Sequence, residues 1–334
     1  MDYAEISTIQ TEHQAAITRL FAGDSLPYVP IINGSYAGYY GTADNTAFDQ
    51  WLAADLPDNL PALLHDAADP ITFHPLVVEF APFGVHYIDA LFGARVFQHE
   101  GQHWSDLLPG DLADLSLVDV AASPLGVWTL NALDRLLAHL PLPVAATFPI
   151  FSSPLNVAIN LFGEEVLMDL ADPDDGVLHG LAVIGATISD LHQLMRQRYP
   201  ADRLRFYCSC TRWAPDGFGH ICGCSTQLLG AEAYARYLAS LDARILATYP
   251  HGGTIHLCGR HTQHLACWRA MPTLRGVQLN DAAADDFPAY FAGLRDDQLI
   301  YIAPTEAMPI ERILAASKGR RIILQAQCSE RCLA

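Results

Sequence analysis

The chain has 334 residues, of which 51% are hydrophobic and 17% charged, and a formal net charge of −18. Such a composition supports a large buried core and argues against global disorder. The acidic balance argues against a nucleic-acid partner, which requires a basic face. No apolar run reaches the roughly 18 to 20 residues of a bilayer span, so no membrane partner is expected. The opening "MDYAEISTIQTEHQ" is acidic and polar, unlike a secretion signal. The expected home is the cytoplasm, where the eight cysteines stay mostly reduced and free to ligate metal.

The chain has a single lysine, Lys318, in "AASKGRR" just before a predicted strand. That position places it at the base of a barrel, away from the chemistry. A Schiff-base lysine or a phosphate-loop lysine is therefore effectively excluded.

In chain order, a helix is predicted over about 3–22. Strand-like runs follow at "YVPII" (28–32), "FHPLVVEF" (73–80), "PVAATFP" (143–149), "LRFYCS" (204–209), "TIHLC" (254–258), "GVQLN" (276–280), "LIYIA" (299–303) and "RIILQA" (321–326). Between them lie stretches of helical period, among them "PLGVWTLNALDRLLAHL", "PLNVAINLFGEEVLMDLA", "GAEAYARYLASLDARILATY" and "MPIERILAASK". Eight strands alternating with helices predict right-handed βαβ units closing into a single (β/α)8 TIM barrel with an N-terminal helical extension, with an open doubly wound sheet as the rival. Residues 81–125 read as an excursion over the barrel, with an extra strand near "GARVFQ", and no repeat or linker marks a domain boundary. The usual last helix is not evident after the eighth strand, and the N-terminal helix is expected to cover that face.

Alternate residues of a strand share a face, so His256 and Cys258 in "GTIHLCGR" point the same way. At the C-terminal end of a barrel strand, that way is into the active-site mouth. Cys328, directly after the eighth strand, can supply a third ligand, with Cys332 as a possible substitute. One imidazole and two thiolates suit zinc and leave a fourth position open for substrate. The competing reading is two small core cysteines and a hydrogen-bonded pocket histidine.

"IHLCG" followed about seventy residues on by a strand-end cysteine resembles the His-x-Cys…Cys pattern of the zinc-containing, cobalamin-dependent methyltransferases. These belong to the uroporphyrinogen decarboxylase superfamily and pass a methyl group from a corrinoid protein to coenzyme M. "PLNVAINLFGEEVLMDLADPDD", "CSTQLLGAEAYARYLASLDARIL" and "LIYIAPTEAMPIERIL" are also similar to segments of that superfamily, and the likeness runs diffusely over residues 25–328. It implies a (β/α)8 barrel, zinc on His256, Cys258 and Cys328, a corrinoid (methylcobalamin) methyl donor brought by a corrinoid protein, and a small thiol acceptor. The arginine-rich "RQAGRY"-like segment of true uroporphyrinogen decarboxylases is absent; the region reads "PIINGSYAGYYG". Only Arg212 and Arg260 are available to meet a polycarboxylate, which makes a metal-free carboxy-lyase the weaker reading. A barrel that binds a tetrapyrrole or metabolite without turning it over is the third.

Glu79 ends the second predicted strand and is the candidate general acid/base. His86, Asn280, Arg260 and Cys210 are candidate pocket residues. His86 is equally suited to pair with Asp89 at a helix start, and Asp281 to cap one. Cys208, Cys210, Cys222 and Cys224 form C-x-C-x11-C-x-C, expected at the end of the fourth strand and in the loop after it. They are open to a second metal, to disulfides or to free thiols. His261 or His264 is a candidate outer partner of the metal, and Cys267 a helix core residue. "HEGQH" (99–103) spells a zinc-protease motif, but that motif works only on a helix, and Gly101 and the strand-like run before it argue against one.

Overall fold

A computed structural model describes residues 3–34, 37–149, 151–206 and 212–325. Cys208, Cys210, Cys328 and Cys332 lie outside these described residues, so the expectations that rest on them have no structural counterpart here.

The strands, in chain order, are β1 (Ile31–Ile32), β2 (Gly38–Tyr39), β3 (Val77–Phe80), β4 (Val96–His99), β5 (Gln102–Ser105), β6 (Ala145–Thr147), β7 (Leu204–Arg205), β8 (Gly219–Cys222), β9 (Gly253–Leu257), β10 (Leu274–Leu279), β11 (Leu299–Ile302) and β12 (Ile322–Gln325). One parallel sheet runs β1-β12-β11-β10-β9-β8 and a second runs β2-β3-β6-β7. Two parallel bridges, Ile32 to Phe73 and Ser152 to Cys222, join the sheets and close the ring. The fold is therefore the expected α/β barrel. Its eight staves are β1, β3, β6, β8, β9, β10, β11 and β12.

One stave differs from expectation. Among the described residues, the run at 204–209 carries β7, which pairs with β6. The strand beside β9 is β8, "GHIC", in register from Gly219 opposite Gly253 to Cys222 opposite His256. Cys222 thus ends a barrel strand instead of sitting in a loop. Four residues opening on glycine carry little strand signal, but both neighbours supply backbone partners: Gly219 N–H donates to Gly252 and Cys222 N–H to Phe151.

Alternation divides each stave. Ile255, Leu257, Val277, Leu279, Ile300 and Ile302 face the helices in the larger core. The interior has two levels. Its lower level is apolar, with Phe73, Val77, Ala145, Leu299, Tyr301 and Ile323 packed against Ile17, Leu20 and Phe21 of the N-terminal helix Tyr3–Phe21. That helix therefore closes the base of the barrel. The upper level is polar, with Glu79, His220, Thr254, His256, Gln278 and Gln325 all buried.

The other helices follow their local signals. Ser123 caps Pro124–His139 by accepting from Gly126 N–H, with proline in the first turn. Asp174 caps the 24-residue helix Asp175–Arg198 in the same way. The predicted helix after residue 154 breaks into Pro154–Phe162 and Glu165–Asp169 at Gly163, whose φ is +83°. Lys318 ends Ile310–Ser317 in the left-handed conformation, just before β12. Among the described residues no helix is long and apolar enough to cross a membrane.

Candidate metal centre

The upper level of the barrel gathers soft ligands at the ends of β8 and β9. One ligand atom each from Cys222, Cys224 and His256 lies within 4.8 Å of the others. The Cys222 and Cys224 sulphurs are 3.7 Å apart. The Cys258 sulphur is 3.1 Å from His256 Nε2, and its thiol also interacts with that of Cys224. Cys222 and His256 are buried, and Cys224 and Cys258 partly so. None of these four thiols and imidazole groups is consumed by a disulfide.

His256, on β9, and Cys258, just past its end, lie side by side. What the sequence missed is that Cys222 and Cys224 join them. The signal was available, because C-x-C at 222–224 repeats the spacing of H-x-C at 256–258.

Neighbours fix the imidazole. His256 Nδ1–H donates to Gln278 Oε1 on β10, which leaves the Nε2 lone pair facing the sulphurs. Gln278 Nε2 donates in turn to Gln325 Oε1 on β12, at 2.9 Å. His261 lies outside this layer but holds the turn that carries Cys258, with Nε2–H donating to the Cys258 carbonyl at 3.0 Å. Burial lowers the His261 pKa to about 4, so its ring is neutral. The Cys224 thiol is pushed up by its hydrogen bond with Cys222, and the Cys258 thiol by its hydrogen bond with Cys224 and by burial. Both shifts favour the protonated thiol at Cys224 and Cys258.

A second polar line runs below. Arg212 donates to His220 Nε2 at 2.7 Å, and His220 Nδ1–H donates to Thr254 Oγ1 at 2.6 Å. Burial first, then the Arg212 charge, holds the His220 pKa well below its usual value. Arg212 is thus engaged within the barrel. Arg260 is exposed and pairs with Asp286 at 2.7 Å.

The remaining candidates spread around the mouth. Glu79 is buried on the inner face of β3 and accepts from the Tyr40 hydroxyl. His86 Nδ1–H donates to the buried Asp89 at 2.6 Å, and Asn160 donates to the same carboxylate oxygen at 2.8 Å. Burial raises the Asp89 pKa. This is the local pairing expected as the alternative role of His86. Asn280 sits just past β10, with Oδ1 3.4 Å from Gln278 Nε2. Asp281 precedes Ala282–Asp285 without a side-chain cap. Tyr39 packs against Phe48, Trp51 and Phe80, and Cys267 lies against the core. "HEGQH" is the turn of the β4–β5 hairpin, with His99 opposite Gln102 and positive φ at Glu100 and Gly101.

The donor set fits zinc: a buried imidazole held by Gln278 among several thiols is a soft N/S site, and the Gln278 carboxamide is its outer hydrogen-bond partner.

No family model matches the chain, and neither does any curated protein. Among solved structures it is similar to a methyltransferase from Methanosarcina mazei, with a TM-score of 0.63 and 12% sequence identity over 95% of this chain and 93% of that one. At that identity the likeness shows the shared fold.

Proposed function

We propose that this chain is a zinc-dependent methyltransferase of the uroporphyrinogen decarboxylase superfamily, moving a methyl group from a corrinoid on a partner protein to a small thiol in the cytoplasm. The observation that carries this reading is His256, its Nε2 aimed at thiols in the mouth of the barrel. The structural neighbour, a methyltransferase of the same fold over nearly its whole length, supports it. In this reading the whole chain is one barrel domain, and zinc is held by His256 and Cys258 with Cys328.

Bound zinc supplies a Lewis acid that lowers the pKa of an incoming thiol. The protein's own residues do the rest. Gln278 holds the His256 tautomer, and His261 holds the Cys258 turn. Glu79, hydrogen-bonded by Tyr40, takes up the thiol proton. In this reading Asn280, His86 and Arg260 are pocket residues, as is Cys210, which lies outside the described residues. The apolar lower level and the N-terminal helix leave the strand C-termini as the side from which reactants enter.

The test is metal content of tag-free protein, followed by methyl transfer from methylcobalamin to thiols, for wild type beside His256→Ala and Cys328→Ala. About one zinc per chain, lost with transfer in His256→Ala, is the expected result, and Cys328→Ala decides whether Cys328 is a ligand. Zinc-free protein purified without chelator, or zinc-loaded protein that leaves methylcobalamin intact with every thiol tried, overturns the reading.

A further inference from the structure

We infer that Cys222 and Cys224 ligate the ion at the barrel mouth together with His256, so that two adjacent strand ends build the site. The inference rests on the reading that the mouth binds a metal, but not on methyl transfer.

Register is the first argument. β8 and β9 are parallel neighbours, with Cys222 directly opposite His256. Register partners on strands about 4.8 Å apart point their side chains the same way, here into the barrel. Cys222 and His256 form the last register pair of the two strands, Cys224 opens the 3-10 helix Cys224–Leu228 after β8, and Cys258 follows β9. Gly223 N–H donating to the His256 carbonyl at 2.9 Å extends the pairing past the strand end, so the four soft donors gather at one place.

Distance is the second. Zinc binds sulphur at about 2.3 Å with tetrahedral angles, which places two thiolates on one ion about 3.8 Å apart. The Cys222 and Cys224 sulphurs are 3.7 Å apart, well beyond a disulfide's length of about 2.05 Å. His256 offers its ring nitrogen within 4.8 Å of both.

Chemical context is the third. A single buried cysteine is an ordinary small core residue, but Cys222 is not in apolar company. Its interior neighbours are His256, Cys224 and the polar layer of His220 and Thr254. With Cys258 beside Nε2, the set becomes three thiolates and one imidazole, a common zinc site. It is complete within residues 222–258 and takes the place of Cys328 in the ligand set proposed above, so zinc should survive Cys328→Ala. Such a set would leave no position open, so a substrate thiol would have to take the place of one protein thiolate, which would then carry the thiol's proton.

The experiment uses the full-length protein loaded with zinc or, as a spectroscopic probe, with cobalt(II). Zinc-edge X-ray absorption of the wild type should count three sulphurs and one nitrogen, and needs no variant to fold. Cys222→Ser and Cys224→Ser should each weaken zinc binding more than about tenfold, since losing a ligand costs at least as much as losing an outer partner. Each should also reduce the sulphur-to-cobalt charge-transfer band, whereas Cys267→Ser should leave both readouts unchanged. Two sulphurs in the wild type, or wild-type affinity and spectrum in both serine variants alongside loss in His256→Ala, overturn the inference and leave the methyltransferase reading standing. Three sulphurs with no methyl transfer uphold the inference while that reading fails. A chain that takes up neither ion removes both.

Discussion

Gln278 holds His256 from behind: its Oε1 accepts from His256 Nδ1–H, and its Nε2 donates to Gln325 at 2.9 Å. Three staves, β9, β10 and β12, are linked by this chain of hydrogen bonds, all of it buried. Replacing the carboxamide frees the imidazole to rotate or to take the other tautomer. Gln278→Leu is expected to lower zinc affinity about 10- to 100-fold while preserving far-UV circular dichroism. Gln278→Glu, which keeps the acceptor, should retain most of the affinity. Competition against a chromophoric chelator measures both. Equal affinity in all three proteins would show that the histidine needs no such support.

Asp242 is buried and accepts from the Tyr234 hydroxyl at 2.8 Å. Burial raises its pKa from 3.8 to about 7. Between these values the folded chain binds the extra proton, so this group's contribution is present at low pH and is lost as pH rises from about 4 to about 7. The loss is about 4 kcal/mol at most. Asp242→Asn keeps the acceptor and cannot ionise. Its melting temperature relative to wild type should climb through that window and level off above pH 7. Parallel curves for the two proteins in calorimetry would rule this out.

His192 works in the opposite direction. It is buried among Phe148, Phe151 and Tyr249, and burial lowers its pKa from 6.5 to about 3. Below pH 6.5 the unfolded chain takes up a proton that the folded chain refuses. Stability present above 6.5 is therefore lost as pH falls toward 3. His192→Phe should cost about 1–3 kcal/mol at neutral pH by stranding the Tyr249 hydroxyl, yet flatten the acid limb of the stability curve. An acid limb as steep as that of wild type in urea titrations at pH 6.5 and 4 would contradict this.

Gly253 and Gly219 are register partners at the base of β9 and β8. A Cβ on Gly253 would stand 2.4 Å from the Gly219 carbonyl oxygen, a backbone atom that cannot swing away. Gly253→Ala should cost about 1–3 kcal/mol and weaken zinc binding by displacing the two strands that carry Cys222 and His256. Unchanged melting temperature would mean that the strands part without cost.

The hairpin histidines should be silent. His99 and Glu100 are exposed and sit at a tight turn, where positions i and i+4 do not share a helical face. His99→Ala and His103→Ala are expected to keep full zinc content by mass spectrometry, whereas His256→Ala does not.

Most of the barrel could be read from the chain because seven of its staves are apolar runs of alternating face. Ile255 and Leu257 turn outward, and that alone sends His256 inward. The same reasoning places Gln278 inward between Val277 and Leu279, although glutamine in a strand carries no chemical flag and was passed over. The strand that the sequence did not announce, β8, has a physical reason for its silence. "LRFYCS" has the aromatic, β-favouring look of a strand, whereas "GHIC" is short and owes its extended form to neighbours on both sides. With that strand went the site's second half. Spacing along one strand located His256 and Cys258, but which cysteines approach from the next strand depends on register, a long-range property that no local window contains.

The lone lysine has a practical corollary. Lys318 is exposed at the C-terminus of Ile310–Ser317, immediately before β12 begins, and therefore on the opposite end of the barrel from Cys222 and His256. Amine-directed coupling through its ε-amino group would seat the protein base-down on a bead or sensor chip and leave the thiol-rich end facing the bulk solution. Few proteins permit oriented tethering without an engineered handle; here the scarcity of one residue type supplies it.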